Sequence, residues 1–260
     1  MTPELAERFS LAGRRALVTG ASGALGARFA EVLAGAGASV VLAARRVAAM
    51  EPLRDRIAAA GGTAAVVALD VADPAAVPAA FDEAGAAVGG PIDLIVNNSG
   101  IASPGSALEQ SEEDWARVFA INVDGARRVS VEGARRLVEG KRPGAIVNVA
   151  SILGLRQGAG VTAYAASKAA LIQMTRQHAL EWARHGIRVN ALAPGYIETD
   201  LNRDFFASEP GQAMIKRIPQ RRLGRSEELD GALLLLASDA GSFMTGTALV
   251  ADGGHLLSPL

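Results

Sequence analysis

The sequence contains no cysteine, which excludes disulfide bridges and thiolate metal ligands. Its three histidines, His178, His185 and His255, are not spaced like a metal cluster, so we expect no metal site. Aromatic residues are scarce, at 4% of the chain, although 50% of the residues are hydrophobic. The predicted core is therefore aliphatic and rich in alanine.

An excess of charge of one sign is also lacking, because 26 basic residues nearly balance 27 acidic ones. The net charge of -1 offers no broad basic surface, so we expect no nucleic-acid partner. No stretch approaches the ~20 uncharged apolar residues that span a bilayer, and residues 1–8 lack the pattern of a signal peptide. We therefore expect a cytoplasmic protein without a membrane partner.

Short β-branched runs alternate along the chain with longer segments of helical period. This alternation is typical of βαβ units and predicts an α/β fold with a mostly parallel sheet. The predicted strands are 15–19, 39–43, 64–69, 94–97, 145–150, 188–193 and 248–250. The predicted helices are 25–36, 47–60, 74–88, 112–139, 163–184 and 227–237, with Asp73 and Ser111 as N-caps. No linker divides the chain, so we expect a single domain over residues 1–260.

The segment at about 196–225 differs from the rest, because it is polar, contains Pro210 and Pro219, and lacks a clean period. Long loops in compact domains are often functional, so a substrate lid is the favoured interpretation. The alternative is a long surface connection.

Tyr164 and Lys168 stand four residues apart in a predicted helix, which places the phenol and the ammonium on one face. A positive charge at that distance favours phenolate, so we expect Lys168 to lower the pKa of Tyr164. Such a phenol can act as a general acid and base. Ser151, thirteen residues upstream at the end of a predicted strand, can join the same chemistry. The alternative is an ordinary half-buried helix face with a lysine that reaches solvent.

A glycine-rich turn at 19–26 follows the first predicted strand and leads into a helix. A sharp turn with small residues lets a pyrophosphate approach the N–H groups of the helix N-terminus. The turn therefore predicts dinucleotide binding, although such a turn can also be structural only. The candidate cofactor-binding residues are Gly20, Ser22, Gly23, Ala24, Leu25 and Gly26.

Arg45 and Arg46 follow the second predicted strand, where NAD-binding folds carry an acidic residue for the ribose hydroxyls. Guanidinium matches a 2′-phosphate in shape and charge, so NADP(H) is favoured over NAD(H) as the cofactor. The alternative interpretation is a solvated arginine pair at a helix start.

Further candidates follow the third and fourth predicted strands, at the sheet edge where open α/β sheets bind ligands. They are Asp70, Val71, Asn98, Ser99 and Gly100. We expect Asp70 to contact adenine and the loop at 98–100 to line the cofactor. A surface carboxylate and a plain turn are the alternatives.

Five motifs occur in the order and at the spacing of one known family: Thr-Gly-x-x-x-x-x-Gly from residue 19, Asn-Asn-x-Gly from residue 97, Ser151, Tyr164-x-x-x-Lys168 and Pro194-Gly195. Over about residues 9–254 the chain resembles the short-chain dehydrogenase/reductase family, especially its 3-oxoacyl-thioester reductases and gluconate-type dehydrogenases. The resemblance implies one Rossmann-type doubly wound domain, with a seven-stranded sheet and helices on both faces. It also implies a homotetramer, or a homodimer, assembled through the helices at 112–139 and 163–184.

The same resemblance implies site roles. Tyr164 would donate a proton to the substrate carbonyl as the nicotinamide delivers a hydride, while Ser151 polarises the carbonyl oxygen. Lys168 would bind the nicotinamide ribose, and Asn122, otherwise a polar residue or a kink in a long helix, would hold a water that links Lys168 to solvent. The implied contacts near the nicotinamide are Pro194, Gly195, Ile197 and Thr199. The chain departs from the family at Ala24 and Ser99, where glycine and alanine are usual.

The substrate is expected to be a small ketone or secondary alcohol, bound by Ser151, Leu153, Gln157, Tyr164 and Tyr196. The neighbouring wall is expected to include Ile152, Leu155 and residues 201–206. Arg156 and Arg203 could bind a charged tail or could be solvated. The alternative functions are an NAD(H)-dependent polyol or hydroxyacyl dehydrogenase and a non-catalytic cofactor-binding regulator. The intact set of Ser151, Tyr164, Lys168 and Asn122 argues against the regulator.

Overall fold

The computed structural model describes residues 2–199 and 202–258. Its seven strands form one parallel sheet in the order β3-β2-β1-β4-β5-β6-β7. They are β1 (Arg15–Thr19), β2 (Ser39–Ala44), β3 (Thr63–Ala68), β4 (Leu94–Asn97), β5 (Gly144–Val149), β6 (Ile187–Pro194) and β7 (Ala248–Ala251). This is the doubly wound arrangement, in which the order of strand addition reverses between β1 and β4. The predicted fold class is confirmed.

Helices cover both faces of the sheet. They are α1 (Pro3–Phe9), α2 (Ala24–Gly35), α3 (Glu51–Ala59), α4 (Ala76–Ala87), α5 (Glu112–Phe119), α6 (Ala126–Glu139), α7 (Thr162–Trp182), α8 (Arg203–Ala207), α9 (Glu209–Ile215) and α10 (Asp230–Ala237). A π-helical segment, Ala120–Gly125, joins α5 to α6, and a 3₁₀ turn, Ile152–Gly154, follows β5. The sequence did not predict α1, α8 and α9. In the described part of the chain, no helix is long and apolar enough to cross a bilayer.

Successive residues of a strand pack alternately into two apolar layers, one on each face of the sheet. Val18 on β1 packs into a layer with helices α2 and α10, which contribute Phe29 and Leu233. Leu17, the neighbouring strand residue, packs into the opposite layer with Phe81 of α4. This period of two is what a strand buried on both faces requires. The buried residues of both layers are largely aliphatic, as the composition predicts.

One of the two predicted N-caps is confirmed and the other is wrong. Ser111 Oγ accepts a hydrogen bond from the Asp114 backbone N–H at 3.0 Å, which caps α5. Asp73 does not cap α4, because that helix begins at Ala76. The Asp73 carboxylate instead accepts a hydrogen bond from Ala75 N–H at 2.8 Å, two residues on, and closes a local turn before the helix.

Candidate active site

The glycine-rich turn and the end of β4 meet at the point where the strand order reverses. Asn98 Nδ2 donates to the backbone oxygens of Thr19 and Gly20, at 3.0 and 3.2 Å. Gly20 has φ +66°, and a Cβ atom there would lie 3.0 Å from both Asn98 Nδ2 and Ser99 Cα. The turn therefore requires glycine at this position both for its backbone angle and for space. Two of the predicted cofactor segments are thus in direct contact.

The N-terminus of α2 is open to solvent at this turn. Gly23 is the N-cap, and no side chain of the described residues caps the helix there. Gly23 and Ala24 are exposed, whereas Ser22 and Leu25 are half-buried. A Cβ atom on the buried Gly26 would overlap the Gly20 carbonyl oxygen, so Gly26 lets the helix pack on the turn. Uncapped N–H groups at a helix N-terminus are suited to a phosphate group.

Arg45 and Arg46 lie immediately beyond β2, which pairs with β1. Ala21 N–H in the glycine-rich turn donates to the oxygen of Ala43, so both arginines follow the strand that touches the turn. Both side chains are exposed, and neither forms an ion pair within the described residues. Two guanidinium groups without a carboxylate partner are therefore available beside the predicted cofactor site.

Asp70 and Val71 lie just past β3, on the same edge of the sheet. The half-buried Asp70 accepts a hydrogen bond from Ala72 N–H at 2.9 Å, which fixes its carboxylate in a tight turn. Val71 is buried against Gly125, where a Cβ atom would lie 2.6 Å from Val71 Cγ2. The loop after β3 is thus packed against the π-helical segment that contains Asn122.

Ser151 and Tyr164 meet between the end of β5 and the first turn of α7. Ser151 is buried, its Oγ accepts a hydrogen bond from Leu153 N–H at 3.1 Å, and its side chain lies close enough to Tyr164 to lower the pKa of the phenol. Burial outweighs this effect and raises the pKa of Tyr164, and Tyr196 raises it further. The predicted lowering of the Tyr164 pKa by Lys168 is therefore wrong for the chain alone.

The reason lies in how Lys168 is held. Lys168 is buried, and its Nζ donates a 2.7 Å hydrogen bond to the backbone oxygen of Val149. Nζ lies 5.6 Å from the centre of the Tyr164 ring. Burial lowers the pKa of Lys168 to about 8, so the ammonium is itself in an environment that disfavours charge. The helical spacing correctly predicts that the two side chains lie together, but it does not predict that Lys168 is buried.

Asn122 belongs to the π-helical segment and is completely buried. Its Oδ1 accepts from Ile101 N–H at 2.8 Å, and its Nδ2 donates to the Ile101 oxygen at 2.9 Å and to Ser167 Oγ at 3.0 Å. A Cβ atom on Gly100 would lie 3.4 Å from both Asn122 Oδ1 and Lys168 Nζ. Gly100, Asn122 and Lys168 therefore converge on one small space.

Ser167 is a site residue that the sequence reasoning missed. Its Oγ donates to the backbone oxygen of Tyr164 at 2.7 Å and accepts from Asn122. It therefore connects the first turn of α7 to the π-helical segment. Its position three residues after Tyr164, on the same helix face, is the signal that could have identified it.

The segment after β6, which is the predicted lid and is called the covering segment below, is held at both ends by backbone and side-chain contacts. Ile197 forms a bridge with Gly224, so the predicted lid begins and ends at one point. The Asn202 side chain accepts from Thr199 N–H at 2.9 Å and donates to the Ile197 oxygen at 2.8 Å. Gly195 lies against Asp252, 2.7 Å from where its Cβ atom would be. Helices α8 and α9 occupy the middle of the segment, while Leu201, predicted in the substrate wall, lies outside the described residues.

The predicted substrate residues are only partly brought together. Tyr196 lies near Tyr164, and its ring packs against Phe206 and His255, with centroids 5.6 and 5.3 Å away. Leu153 is joined to Ser151 by its backbone N–H. Gln157 is exposed and makes no hydrogen bond within the described residues. His255, which completes the wall around Tyr196, was missed because it follows the last strand and belongs to no motif.

Among the residues that the structure describes, no three His, Asp or Glu side chains lie together so that they could hold a metal ion. The polar groups of the site are instead hydroxyls, an amide, an ammonium and backbone N–H groups. This set can bind a nucleotide and can move a proton.

Comparison with known proteins places this geometry in a family. Residues 20–255 match the family model described as enoyl-(acyl carrier protein) reductase. Gluconate 5-dehydrogenase from Gluconobacter oxydans is 38% identical over 96% of this chain and 97% of that relative, and galactitol 2-dehydrogenase from Cereibacter sphaeroides is 38% identical over 95% and 96%. A gluconate 5-dehydrogenase from Burkholderia cenocepacia, crystallised with NADP and tartrate, has a TM-score of 0.93 and 37% identity over 98% of this chain and 100% of that chain. The chain belongs to the short-chain dehydrogenase/reductase family, as the sequence motifs indicate.

Proposed function

We propose that this chain transfers a hydride between a nicotinamide cofactor and a ketone or secondary alcohol, with Tyr164 as the general acid and base. The observation that supports this proposal most is the convergence of Tyr164, Ser151, Lys168 and Asn122 next to the glycine-rich turn. A panel of carbonyl compounds, assayed by loss of NADPH or NADH absorbance, tests it. Saturable reduction of at least one ketone supports the proposal, and the absence of turnover across the panel contradicts it.

The cofactor is proposed to be NADP(H). The turn fits a dinucleotide, because the N-terminus of α2 is uncapped and a Cβ atom on Gly23 would meet only the Gly20 oxygen, at 3.5 Å. Arg45 and Arg46 would bind the 2′-phosphate, since neither has a carboxylate partner among the described residues. The relative from Burkholderia cenocepacia contains NADP. NAD(H) is the alternative, and the Arg45 variant discussed below separates the two.

The remaining predicted cofactor contacts follow from position. Asp70 would meet the adenine, and the loop of Asn98, Ser99 and Gly100 would lie along the cofactor. Pro194, Gly195, Ile197 and Thr199 would meet the nicotinamide end, where the covering segment begins. When bound, the nicotinamide would supply or accept the hydride.

The state of Tyr164 suits the reductive direction. Its raised pKa keeps the phenol protonated near neutral pH, so it can donate a proton to the substrate oxygen as hydride reaches the carbon. The Ser151 hydroxyl would hold the same oxygen in place. The ammonium of Lys168 would stabilise the phenolate that remains, and Asn122 would hold the water through which the phenolate regains a proton.

The proposed substrate class is ketones and secondary alcohols, without a narrower choice from the relatives. The two curated relatives are named for gluconate, which is anionic, and for galactitol, which is neutral, at the same 38% identity. Overall sequence identity therefore does not distinguish an anionic from a neutral substrate. A non-catalytic regulator is disfavoured, because burying the Lys168 ammonium is unfavourable and a protein that only binds a cofactor has no need of the full set of Ser151, Tyr164, Lys168 and Asn122.

We also propose that residues 1–260 form one domain, with 196–225 as its lid, and that it assembles as a homotetramer or homodimer. A groove of about 670 Å³ runs between α6 and α7, with the apolar side chains of Val138, Leu180 and Trp182 among charged residues that include Arg135 and Glu181. Leu180 is 77% exposed there. Apolar side chains on a solvent-facing groove favour burial against a second copy.

A further inference from the structure

Arg156 is held in a fixed position close to the candidate catalytic residues. It follows the 3₁₀ turn Ile152–Gly154, and its backbone N–H donates to the Ile152 oxygen at 2.8 Å. The turn is pressed onto α7, since a Cβ atom on Gly154 would lie 2.7 Å from the Lys168 carbonyl carbon. The backbone of Arg156 is therefore fixed relative to both Ser151 and Lys168.

The side chain of Arg156 is half-buried. One nitrogen, Nη1, donates to the backbone oxygen of His255. No described Asp or Glu forms an ion pair with Arg156. Asp252 lies nearby, but its two carboxylate oxygens accept from Gly254 N–H at 2.8 Å and Leu256 N–H at 2.6 Å. A partly buried guanidinium that forms no ion pair among the described residues has N–H groups that remain to bind a ligand.

Other arginines around the covering segment differ in this respect. Arg222 forms two hydrogen bonds of 2.7 Å with the carboxylate of Glu228. Arg203, the other candidate for a charged tail, pairs with Glu198 at 3.6 Å. Arg217 is exposed. Arg156 alone among these four combines partial burial with the absence of a described carboxylate partner.

Arg156 is linked to the candidate reacting groups through His255 and Tyr196. The Tyr196 ring contacts the ring of His255, whose backbone oxygen Arg156 binds. Burial raises the pKa of Tyr196, and the positive charge of Arg156 lowers it in part. Tyr196 in turn raises the pKa of Tyr164. Because Arg156 is linked to Tyr164 only through His255 and Tyr196, we expect a group bound to Arg156 to be separated from a carbonyl at Tyr164.

We propose that Arg156 binds a carboxylate of the substrate, so that the preferred substrate is a keto acid, or the matching hydroxy acid, with several carbons between the carboxylate and the reacting carbon. This inference rests on the proposed hydride transfer. The reacting carbon gains the hydride, its oxygen gains the proton of Tyr164, and the carboxylate is unchanged. Arginine suits this role because its planar N–H groups match a carboxylate in two places.

A pair of substrates that differ only at the carboxyl carbon tests the proposal by activity. 5-Keto-D-gluconate is the acid, and L-sorbose is the neutral ketose of the same length. With NADPH, we expect Arg156→Gln to raise KM for the acid about tenfold or more and to change KM for the ketose less than about twofold. Arg156→Lys should restore part of the lost affinity, because it keeps the charge. Arg217→Gln, which removes an exposed arginine whose charge also acts on His255, should leave both KM values near wild type.

Equal losses on the acid and the ketose would overturn the proposal, since they would assign Arg156 a structural role through His255. Equal wild-type efficiency on the two substrates would also overturn it, while leaving the proposed hydride transfer standing. A second test measures binding and does not depend on turnover. Tartrate, a dicarboxylate, is titrated into the NADP⁺-loaded protein and the heat of binding is measured by calorimetry. We expect saturable binding that Arg156→Gln weakens about tenfold and Arg217→Gln does not. Absence of wild-type binding, or equal binding by Arg156→Gln, would overturn the carboxylate site even if no ketone were reduced.

Discussion

Lys168 Nζ donates a 2.7 Å hydrogen bond to the carbonyl oxygen of Val149, the last residue of β5. The ammonium is therefore held below the Tyr164 ring by a neutral acceptor rather than by a carboxylate. A neutral acceptor compensates only part of the desolvation, and burial lowers the pKa of Lys168 to about 8. Tyr164 and Lys168 thus deviate in opposite directions, the phenol towards holding its proton and the ammonium towards losing it.

This opposition predicts a pH profile for ketone reduction. We expect kcat/KM with NADPH to fall as pH rises through about 8, because Lys168 then loses its charge. Tyr164, whose pKa is raised, remains protonated over this range and does not cause the fall. A steady-state pH profile measures it, and a rate that stays constant well above pH 8 would contradict the assignment.

The same shift affects folding stability with a definite sign. Between about 8 and 10.5 the unfolded chain holds a proton on Lys168 that the folded chain has released. The contribution of Lys168 to the free energy of unfolding therefore rises with pH in this window. Denaturant titrations of wild type and Lys168→Met across the window isolate the effect, since the variant should lack this rise.

Replacing Tyr164 by phenylalanine removes the proton donor while leaving the ring in place. We expect turnover to fall by about a hundredfold or more, the usual contribution of a general acid. NADPH affinity should stay close to wild type, because the phenyl ring still fills the same space. Single-turnover kinetics and fluorescence titration of NADPH measure the two quantities. Near-normal turnover in Tyr164→Phe would contradict the proposed mechanism.

Arg45→Asp tests the choice of cofactor. We expect NADPH to bind at least about tenfold more weakly, since a charge-assisted contact is replaced by repulsion, whereas NADH should bind equally well or better. Relative affinities from fluorescence titration give the answer. Arg54→Asp is the matched control. It makes the same change of charge on α3, but Arg54 already pairs with Asp55 at 2.8 Å. Unchanged relative affinities in Arg45→Asp would show that this arginine does not bind the 2′-phosphate.

The strands could be predicted from the sequence because each is a short, mostly apolar run set between longer segments, as for the fully buried β5. Each observed strand lies within one residue of its predicted ends. The short helices α8 and α9 have no such pattern, since five and seven residues are too few to show a helical period. The π-helical segment is equally hidden, because one widened turn leaves the helix on either side in its normal period.

Within the site, motifs identified residues but not their environments. Gly100, Asn122 and Lys168 lie together although they are far apart in sequence, and motif spacing does not predict such a contact. The contact between Arg156 and His255 joins residues 99 positions apart. Charges and pKa values depend on such contacts, and for this reason the direction predicted for Tyr164 was wrong.

Leu180→Arg tests the proposed assembly. An arginine at a 77% exposed position should leave the folded chain intact but should place a charge in the groove between α6 and α7. We expect light scattering to show a tetramer or dimer for wild type and a smaller species for the variant. Leu5→Arg is the control, because Leu5 is also exposed, on α1, away from this groove. A monomeric wild type would contradict the proposed assembly.

Gly125→Ala tests whether close packing of the π-helical segment holds Asn122 in place. The added Cβ atom would lie 2.6 Å from Val71 Cγ2 and 2.9 Å from Val71 Cβ, so the segment or the loop after β3 must move. Such overpacking should lower the free energy of unfolding by about 1–3 kcal/mol. Because Asn122 sits three residues earlier in the same segment, turnover should fall as well. Urea denaturation and kcat measure these effects separately.

Gly231→Ala provides the matched control for that variant. Gly231 also lies in a helix, α10, but no described atom outside its own helix lies within 4 Å of its Cβ position. Alanine there should stabilise the protein by about 0.5–1 kcal/mol, because it reduces the freedom of the unfolded chain. Opposite signs for the two variants would assign the effect at Gly125 to Val71 rather than to the general cost of changing a helical glycine. If Gly125→Ala unfolds at the wild-type urea concentration and keeps full turnover, the close approach to Val71 does not position Asn122.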